Sequence, residues 1–433
     1  MQWFTGPVLS DDASRLAALC GEVPDNGKSG WLRARLISAI HNGQLGAGDA
    51  LPGARDLAAS LGVARGTTDA VYSQLAAEGF VRMAPRRRPV VAGAPGIGPA
   101  IPAAPTSAAP PRSPSVPDPA LFPYRAWSAA TRAAMSKLAG ADLGYPDPSG
   151  HPRLRAVLAD WLRRTRGVPA APDDIHVTGG VSHAMALLAE VLGVRIWAVE
   201  SPGSPGSTQM MRQLVQVESV RIDDQGLIPD SIPDSAGAVL VTPTHQYPTG
   251  ALMPAERRRA LVDACNEAGR WVIEDDWDSH LAPPNTPSAM QALAPDTVVL
   301  LGSLSKVLAP GLRIGWIVAP QGVVSRLREQ RERTDLGLST MVQLTVAELI
   351  SSGGLDRHIR RVRNVYARRR ERLAAHLGSL GELSGMPGGV HTFVRTRSPK
   401  PLIAEMTRVG VPTAEVDDEH YRGVVVSVAA FTR

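Results

Sequence analysis

Lys306 stands in the run Gly302-Ser303-Leu304-Ser305-Lys306-Val307-Leu308-Ala309-Pro310-Gly311-Leu312-Arg313, directly after the apolar stretch Thr297-Val298-Val299-Leu300-Leu301. A lysine amine condenses with an aldehyde, and hydroxyls with a guanidinium hold a phosphate. Lysine, serines and arginine at this spacing describe a pyridoxal phosphate pocket. A bare Ser-x-x-Lys is more often a surface turn, so the other parts of such a pocket must come from elsewhere in the chain.

Three further segments have suitable chemistry. Arg270-Trp271-Val272-Ile273 reads as an apolar strand ending in Glu274-Asp275-Asp276, with Asp275 placed 31 positions before Lys306. An acid at the carboxyl end of a buried strand can face a ligand in an open α/β sheet. Beside a pyridine nitrogen, Asp275 would keep it protonated and make the ring a better electron sink. Without that context, three adjacent acids are a solvated loop. Asp174–Thr178 reads as a strand, followed by the Gly179-Gly180-Val181 turn and a helix through Met185, Leu187, Leu188, Val191 and Leu192. Backbone N–H groups at such a helix start bind phosphate, although a Gly-Gly turn can be merely tight. Val239-Leu240-Val241 leads into Thr242-Pro243-Thr244-His245-Gln246-Tyr247-Pro248-Thr249-Gly250, a proline-bounded loop able to present polar groups to a ring.

The elements that must position these residues alternate. Apolar strands are predicted at 174–178, 195–200, 237–242, 270–275, 297–301 and 314–318, with amphipathic helices between them. Such alternation gives a mostly parallel sheet covered on both faces. The large domain is expected over 121–320, with a smaller α+β subdomain over 321–433. The latter contains a long helix at about 355–378 that carries Arg357, Arg360, Arg361, Arg363, Arg368, Arg369, Arg370 and Arg372. These arginines read as a solvated face, with a contribution to DNA binding as the alternative.

The N-terminal part has a different character. Residues 31–90 hold eight arginines and four acids, a local charge of +4 within a chain total of +5. Leu32, Leu36, Ile37 and Ile40 have helical spacing and His41-Asn42-Gly43 ends that helix. Leu51-Pro52-Gly53 opens a second helix, Gly62-Val63 makes a turn, and a third helix follows. Phe80–Met83 and Pro89–Val91 read as short wing strands. Helix, turn, helix in this arrangement is a winged helix-turn-helix over 27–91, with a small helical dimerisation module as the alternative. Arg65, Thr67, Thr68 and Tyr72 are expected to face the major groove or its phosphates. Arg82, Arg86, Arg87 and Arg88 are expected along the DNA backbone. Residues 92–120 are rich in Pro and Ala and almost uncharged, a linker that at ~3.1 Å per residue reaches on the order of 90 Å.

The motifs Tyr145-Pro146-Asp147-Pro148-Ser149-Gly150, Thr178-Gly179-Gly180, Thr242–Gly250, Ile273-Glu274-Asp275-Asp276-Trp277-Asp278-Ser279 and Ser303-Leu304-Ser305-Lys306 occur in that order. Together they resemble the fold-type I aminotransferase-like domain of the MocR regulators, a branch of the GntR transcription factors, from about residue 121 to near the C terminus. Leu51-Pro52-Gly53-Ala54-Arg55-Asp56-Leu57-Ala58, Leu61–Arg65 and Tyr72-x-x-Leu75-x-x-Glu78-Gly79-Phe80 resemble the GntR winged helix. The resemblance implies that Lys306 carries the internal aldimine and Asp275 pairs with the pyridine nitrogen. It also implies that Gly180, Val181, Ser303, Ser305 and Arg313 surround the phosphate, that Tyr145 reaches into a dimer partner's site, and that Arg55 and Arg65 contact DNA.

Departures from the family pattern bear on function. Tyr247 stands where aminotransferases have asparagine, and Trp277 where the family has a tyrosine for the ring oxygen; an indole N–H donates but cannot accept. The last strand, Val424-Val425-Val426-Ser427-Val428, lacks the arginine that grips a substrate carboxylate, with Arg422 nearby as a weak substitute. The winged Pro85-Arg86-Arg87-Arg88-Pro89 replaces the usual glycine pair. These features favour a transcription regulator that senses pyridoxal phosphate, an amino acid or an amine through the Lys306 aldimine, over a working aminotransferase with an appended DNA-binding domain. A homodimer on a two-half-site operator is expected by resemblance. No metal site is expected. Cys20 and Cys265 imply no disulfide framework, and no apolar run reaches ~18 residues, which predicts a cytoplasmic protein without membrane attachment.

Overall fold

A computed structural model describes residues 11–85, 87–92 and 113–432. The chain divides into two compact units, Met1–Pro110 and Pro111–Arg433.

In the first unit, α1 (Asp11–Cys20), α2 (Lys28–His41), α3 (Ala54–Leu61) and α4 (Arg65–Ala77) precede a two-stranded antiparallel wing, β1 (Val81–Arg82) and β2 (Val90–Val91). The apolar face foreseen on α2 is buried at Leu32, Leu36 and Ile40. Gly62 caps α3 in the left-handed conformation, φ 64°, where a β-carbon is disfavoured, and so lets the chain turn into α4 within a few residues. Leu57, Leu61, Val71 and Leu75 close the core between these two helices. Helix α1 also contributes Leu16 and Cys20 to that core; it lies ahead of the expected domain start at 27.

In the second unit, the helices α5 (Tyr124–Ser136) and α6 (Pro152–Arg166) lead into β3 (Ile175–Thr178), α7 (Val181–Val191), β4 (Ile196–Ser201), α8 (Pro205–Met211), β5 (Gln216–Asp223) and β6 (Gly226–Leu227). Then come β7 (Ala238–Val241), α9 (Ala255–Glu267), β8 (Trp271–Asp275), β9 (Val298–Ser303) and β10 (Gly315–Val318). They form one eight-stranded sheet in the order β3-β10-β9-β8-β7-β4-β5-β6. The central pairs β4–β5, β4–β7, β7–β8 and β8–β9 are parallel, while β10 runs antiparallel to both β9 and β3. Buried on both faces, the central strands read as near-continuous apolar runs. Their alternation divides them: Leu240, Ile273, Val299 and Leu301 pack with α7, whereas Val239, Val241, Val272 and Val298 pack with α9. The hairpin β5–β6 was not foreseen in the sequence, since its polar alternation Gln-Val-Glu-Ser-Val-Arg marks a half-exposed edge.

The helices α10 (Gln321–Thr334), α11 (Thr340–Ser351) and α12 (Gly354–Leu377) follow. Beyond them lie β11 (Glu382–Ser384), β12 (His391–Arg395), α13 (Pro399–Arg408), β13 (Thr413–Asp417) and β14 (Arg422–Ser427). The four strands make a second, antiparallel sheet, β11-β12-β14-β13. Helix α11 packs on α5 and α6, and α10 on α7 and β3. Helix α12 and the second sheet make up the C-terminal part of this unit. The buried residues of α12, among them Ile359, Val362, Tyr366 and Leu373, share one core with Leu154, Leu158 and Trp161 of α6 and Val424 and Val426 of β14.

Candidate functional site

The parallel strands deliver their carboxyl ends to one place, as open α/β sheets do. Ser204 follows β4, Thr242 follows β7, Asp275 ends β8 and Ser303 ends β9, and all four line a cavity of about 600 Å³. Val181, Ser182, Tyr247, Trp277, Ser305, Lys306 and Arg313 line it too. The second sheet adds Thr413 and Ala414, so the cavity lies between the two sheets.

The three carboxylates at the end of β8 have separate fates, decided by the two-residue period of a strand. Glu274 points to the α9 side and accepts N–H groups from Met290 and Gln291, both at 3.0 Å. Asp276 accepts Arg166 Nε at 2.8 Å and Nη2 at 3.1 Å. Burial pushes the Asp276 carboxyl up, but Arg166, His280 and Ser279 outweigh it and hold it below its ordinary value. Asp275 alone faces the cavity. Burial, then the charge of Asp276, pushes its pKa up to about 8 despite Lys306, and its buried Oδ1 has no hydrogen-bond partner among the described residues.

Lys306 follows β9 and is buried enough to be pulled below its ordinary pKa, against the opposing pull of Asp278 and Asp275. Its amine lies 5.7 Å from the centre of the Trp277 ring. Trp277 stacks on His391 (5.3 Å, 6°) and on His245 (5.1 Å, 17°). The indole N–H donates to the His245 carbonyl at 3.0 Å, so Trp277 offers the cavity its face and has its one donor committed elsewhere. His245 is itself fixed by Asp278 at 2.7 Å, with both side chains buried.

At the other end, Gly180 has φ 110°, and a β-carbon there would lie 3.4 Å from Arg313 Nη1. The missing side chain leaves room between Arg313 and the start of α7. With Val181, Ser182, Ser303 and Ser305 alongside, this is a concave group of donors suited to a phosphate. An acceptor without a partner at one end, a buried amine in the middle and a cation over bare backbone at the other end match the pyridine nitrogen, aldehyde and phosphate of pyridoxal phosphate.

The family "Aminotransferase class I and II" matches residues 119–413, and "Bacterial regulatory proteins, gntR family" matches residues 30–91. The HTH-type pyridoxine biosynthesis transcriptional regulator PdxR of Corynebacterium glutamicum is 35% identical, with 86% of this chain and 84% of that protein covered. The probable rhizopine catabolism regulatory protein MocR of Rhizobium meliloti is 32% identical over 78% of this chain and 75% of that protein. The chain belongs to the MocR-type regulators of the GntR family. Among solved structures, a kynurenine aminotransferase of Pyrococcus horikoshii superposes with a TM-score of 0.66 at 25% identity, covering 74% of this chain and 85% of that one. The second unit of this MocR-type chain is thus a fold-type I aminotransferase-like domain, and its cofactor is pyridoxal phosphate.

Several expected residues lie elsewhere. Arg422 pairs with Asp417 at 3.0 Å, is largely exposed, and lines a separate cavity with Arg395, Arg397 and His420. Its position at the open start of β14 turns it outward, away from Lys306, so the sequence expectation of a carboxylate grip is corrected. Tyr145 is 89% exposed and does not line the cavity of its own chain. In the first unit, Thr68 and Tyr72 do not face outward. Thr68 is fully buried and donates to the carbonyls of Ala54 and Arg65, both at 2.8 Å; Tyr72 is buried and its hydroxyl donates to the Pro52 carbonyl at 3.0 Å. Both tie α4 to the start of α3, so their expectation as groove contacts is corrected. Arg55, Arg65, Arg82 and Arg87 are exposed, Thr67 is half-buried, and Arg88 pairs with Asp12 at 3.1 Å. Arg86 lies outside the described residues. Among the described residues no His, Cys, Asp and Glu group could hold a metal, and no helix is long and apolar enough to cross a membrane.

Sequence reasoning missed Ser113–Ser115, Ser204 and Thr413 at the cavity, and His391 packed behind its wall against Trp277. His391 is a lone histidine in an apolar strand, a pattern that usually marks a core residue, and only its stacking on Trp277 brings it to the site.

Proposed function

We propose that this DNA-binding transcriptional regulator reads its ligand through a covalent link at Lys306, and that its aminotransferase-like domain acts as a sensor. The observation that carries this reading is the single cavity shared by the Lys306 amine, the unpaired Asp275 Oδ1 and Arg313. Bound there, the cofactor supplies an aldehyde for the amine and a ring that takes up electrons. Asp275 would hold a proton on the ring nitrogen, Arg313 with Ser303, Ser305 and the start of α7 would hold the phosphate, and Trp277 and Tyr247 would wall the ring.

The ligand sensed is pyridoxal phosphate itself or an amine or amino acid that joins it. The name of the Corynebacterium relative, a regulator of pyridoxine biosynthesis, supports the vitamin. So does the lining: apart from Lys306 and Arg313, no cation lines the cavity among the described residues, which leaves an amino acid's carboxylate without a partner from this chain. The strong exposure of Tyr145 is in keeping with a homodimer in which it enters the partner's cavity. Exposed Arg55 and Arg65 on α3 and α4, with Arg82 and Arg87 on the wing, would meet the operator.

A spectral titration tests this. The purified protein should take up pyridoxal phosphate with the absorption band of a lysine-bound cofactor, and Lys306→Ala should lack that band. Operator affinity should then change with cofactor loading. Titration of the loaded protein with amines and amino acids should shift the band if one of them is the effector and leave it unchanged if the vitamin is. Steady amino-group transfer at ~1 s⁻¹ or faster would favour the enzyme reading instead.

A further inference from the structure

Before the chain enters α5, residues 113–115 run along the Lys306 cavity. Ser113, Pro114 and Ser115 line it together with Lys306 and Trp277. The Lys306 amine donates to the Ser115 carbonyl at 2.9 Å. The Ser115 hydroxyl lies 3.1 Å from His391 Nδ1. Burial, more than the neighbouring His245 and Lys306, keeps the His391 ring well below its ordinary pKa and so neutral.

This strap has one firm end. Asp118 N–H donates to the Tyr366 hydroxyl at 3.0 Å, and Asp118 Oδ2 accepts Arg369 at 2.7 Å, both partners on α12. Beyond Asp118 toward the N terminus, the polar hold is different in kind. Among the described residues, the strap's one hydrogen bond to the large sheet's strand ends comes from Lys306, the group whose chemistry the pocket exists to use. The strap is also covalently continuous, through residues 92–112, with the winged-helix unit.

We propose that Ser113–Val116 is a built-in stopper of the cofactor pocket, held by the free amine of Lys306 and let go when that amine is consumed. This rests on the reading that Lys306 condenses with the cofactor aldehyde. Condensation forms a carbon–nitrogen double bond at Nζ. Both hydrogens of the neutral amine leave with the aldehyde oxygen as water, and any proton the imine nitrogen then takes up would be shared with the ring's phenolic oxygen, so Nζ has none to give the Ser115 carbonyl. The Asp118 anchor on α12 stays in place. The covalent state of Lys306 is thereby passed to the stretch of chain that leads toward the DNA-binding unit, without any requirement that the two sheets move.

Thiol labelling of the full-length chain tests the stopper. Cys20 and Cys265 are buried, so a Ser115→Cys variant reports on its own position. Adding pyridoxal phosphate should speed labelling at least tenfold, and in the Lys306→Ala background labelling should be fast with or without it. Hydrogen exchange of the unsubstituted protein over 113–116 should rise in parallel, while the Asp118 amide stays protected. Unchanged or slower labelling and exchange on loading would overturn the stopper. If the lysine-bound absorption band forms but 113–116 does not loosen, the stopper fails and the sensor reading stands; if no band forms, the sensor reading itself has failed.

Discussion

Arg166 grips Asp276 with two nitrogens, Nε to Oδ2 at 2.8 Å and Nη2 to Oδ1 at 3.1 Å, and both side chains are almost wholly buried. The pair consumes one carboxylate of the β8 triplet and leaves Asp275 as the acid of the cavity. Breaking a buried pair from one side leaves an uncompensated charge. Arg166→Met should therefore destabilise the second unit by about 3–5 kcal/mol in denaturant unfolding. Arg166→Met with Asp276→Leu should recover most of that loss.

Helix α4 carries two kinds of residue. Arg65→Ala should weaken operator binding by about 1–3 kcal/mol in a titration at fixed salt and leave unfolding of the first unit unchanged. Tyr72→Phe should do the reverse: the lost hydrogen bond to Pro52 costs about 1 kcal/mol of stability, with operator affinity retained wherever the unit is folded.

Two arginines expected to bind anions sit in different cavities. Arg313→Ala should weaken pyridoxal phosphate binding by about 1.5–3 kcal/mol, roughly ten- to a hundredfold. Arg422→Ala should leave the same titration unchanged, because its guanidinium pairs with Asp417 away from Lys306.

Without cofactor, the second unit should lose stability as pH rises from about 6.5 to 8, above the range in which His176 and His280, held down by burial to about 3 and 4, act in the opposite sense. The Asp275 carboxyl has a folded pKa of about 8 against an ordinary 3.8, so the folded state holds its proton more tightly. That contribution is complete below about 4 and is gone above 8. Glu200, raised to about 7 by burial against hydrogen bonds from Thr242 and Gln246, acts in the same direction. Lys306, held below 10.5 by burial, acts oppositely and toward the alkaline end. Thermal unfolding between about pH 6.5 and 8.5 should show the decline, and Asp275→Asn should flatten it. A decline of equal slope in Asp275→Asn would remove Asp275 as its source.

Much of the site was legible because its residues lie at strand ends, and strand ends are visible as the places where apolar runs stop. Lys306, Asp275 and the Gly179-Gly180 turn each follow such a run, and a parallel sheet brings the carboxyl ends of its strands together wherever they lie in sequence. Residues that reach the site by packing carry no such mark. His391 looks like a core histidine, and Ser113–Ser115 like the tail of a linker.

The same limit misplaced Thr68 and Tyr72. Polarity predicts an outward face for both, but they sit on the side of α4 that meets the start of α3, where main-chain carbonyls accept their hydroxyls.

Sequence alone determined the two-unit plan, the alternation that makes a covered parallel sheet, and the segments whose lysine, acid and helix start come to line one cavity, because local patterning and residue chemistry decide these. Only the tertiary structure decided which of three adjacent carboxylates faces the cavity, where Arg422 points and what lies against Lys306. Those outcomes depend on which groups become neighbours when separate elements pack, and no spacing along the chain encodes that.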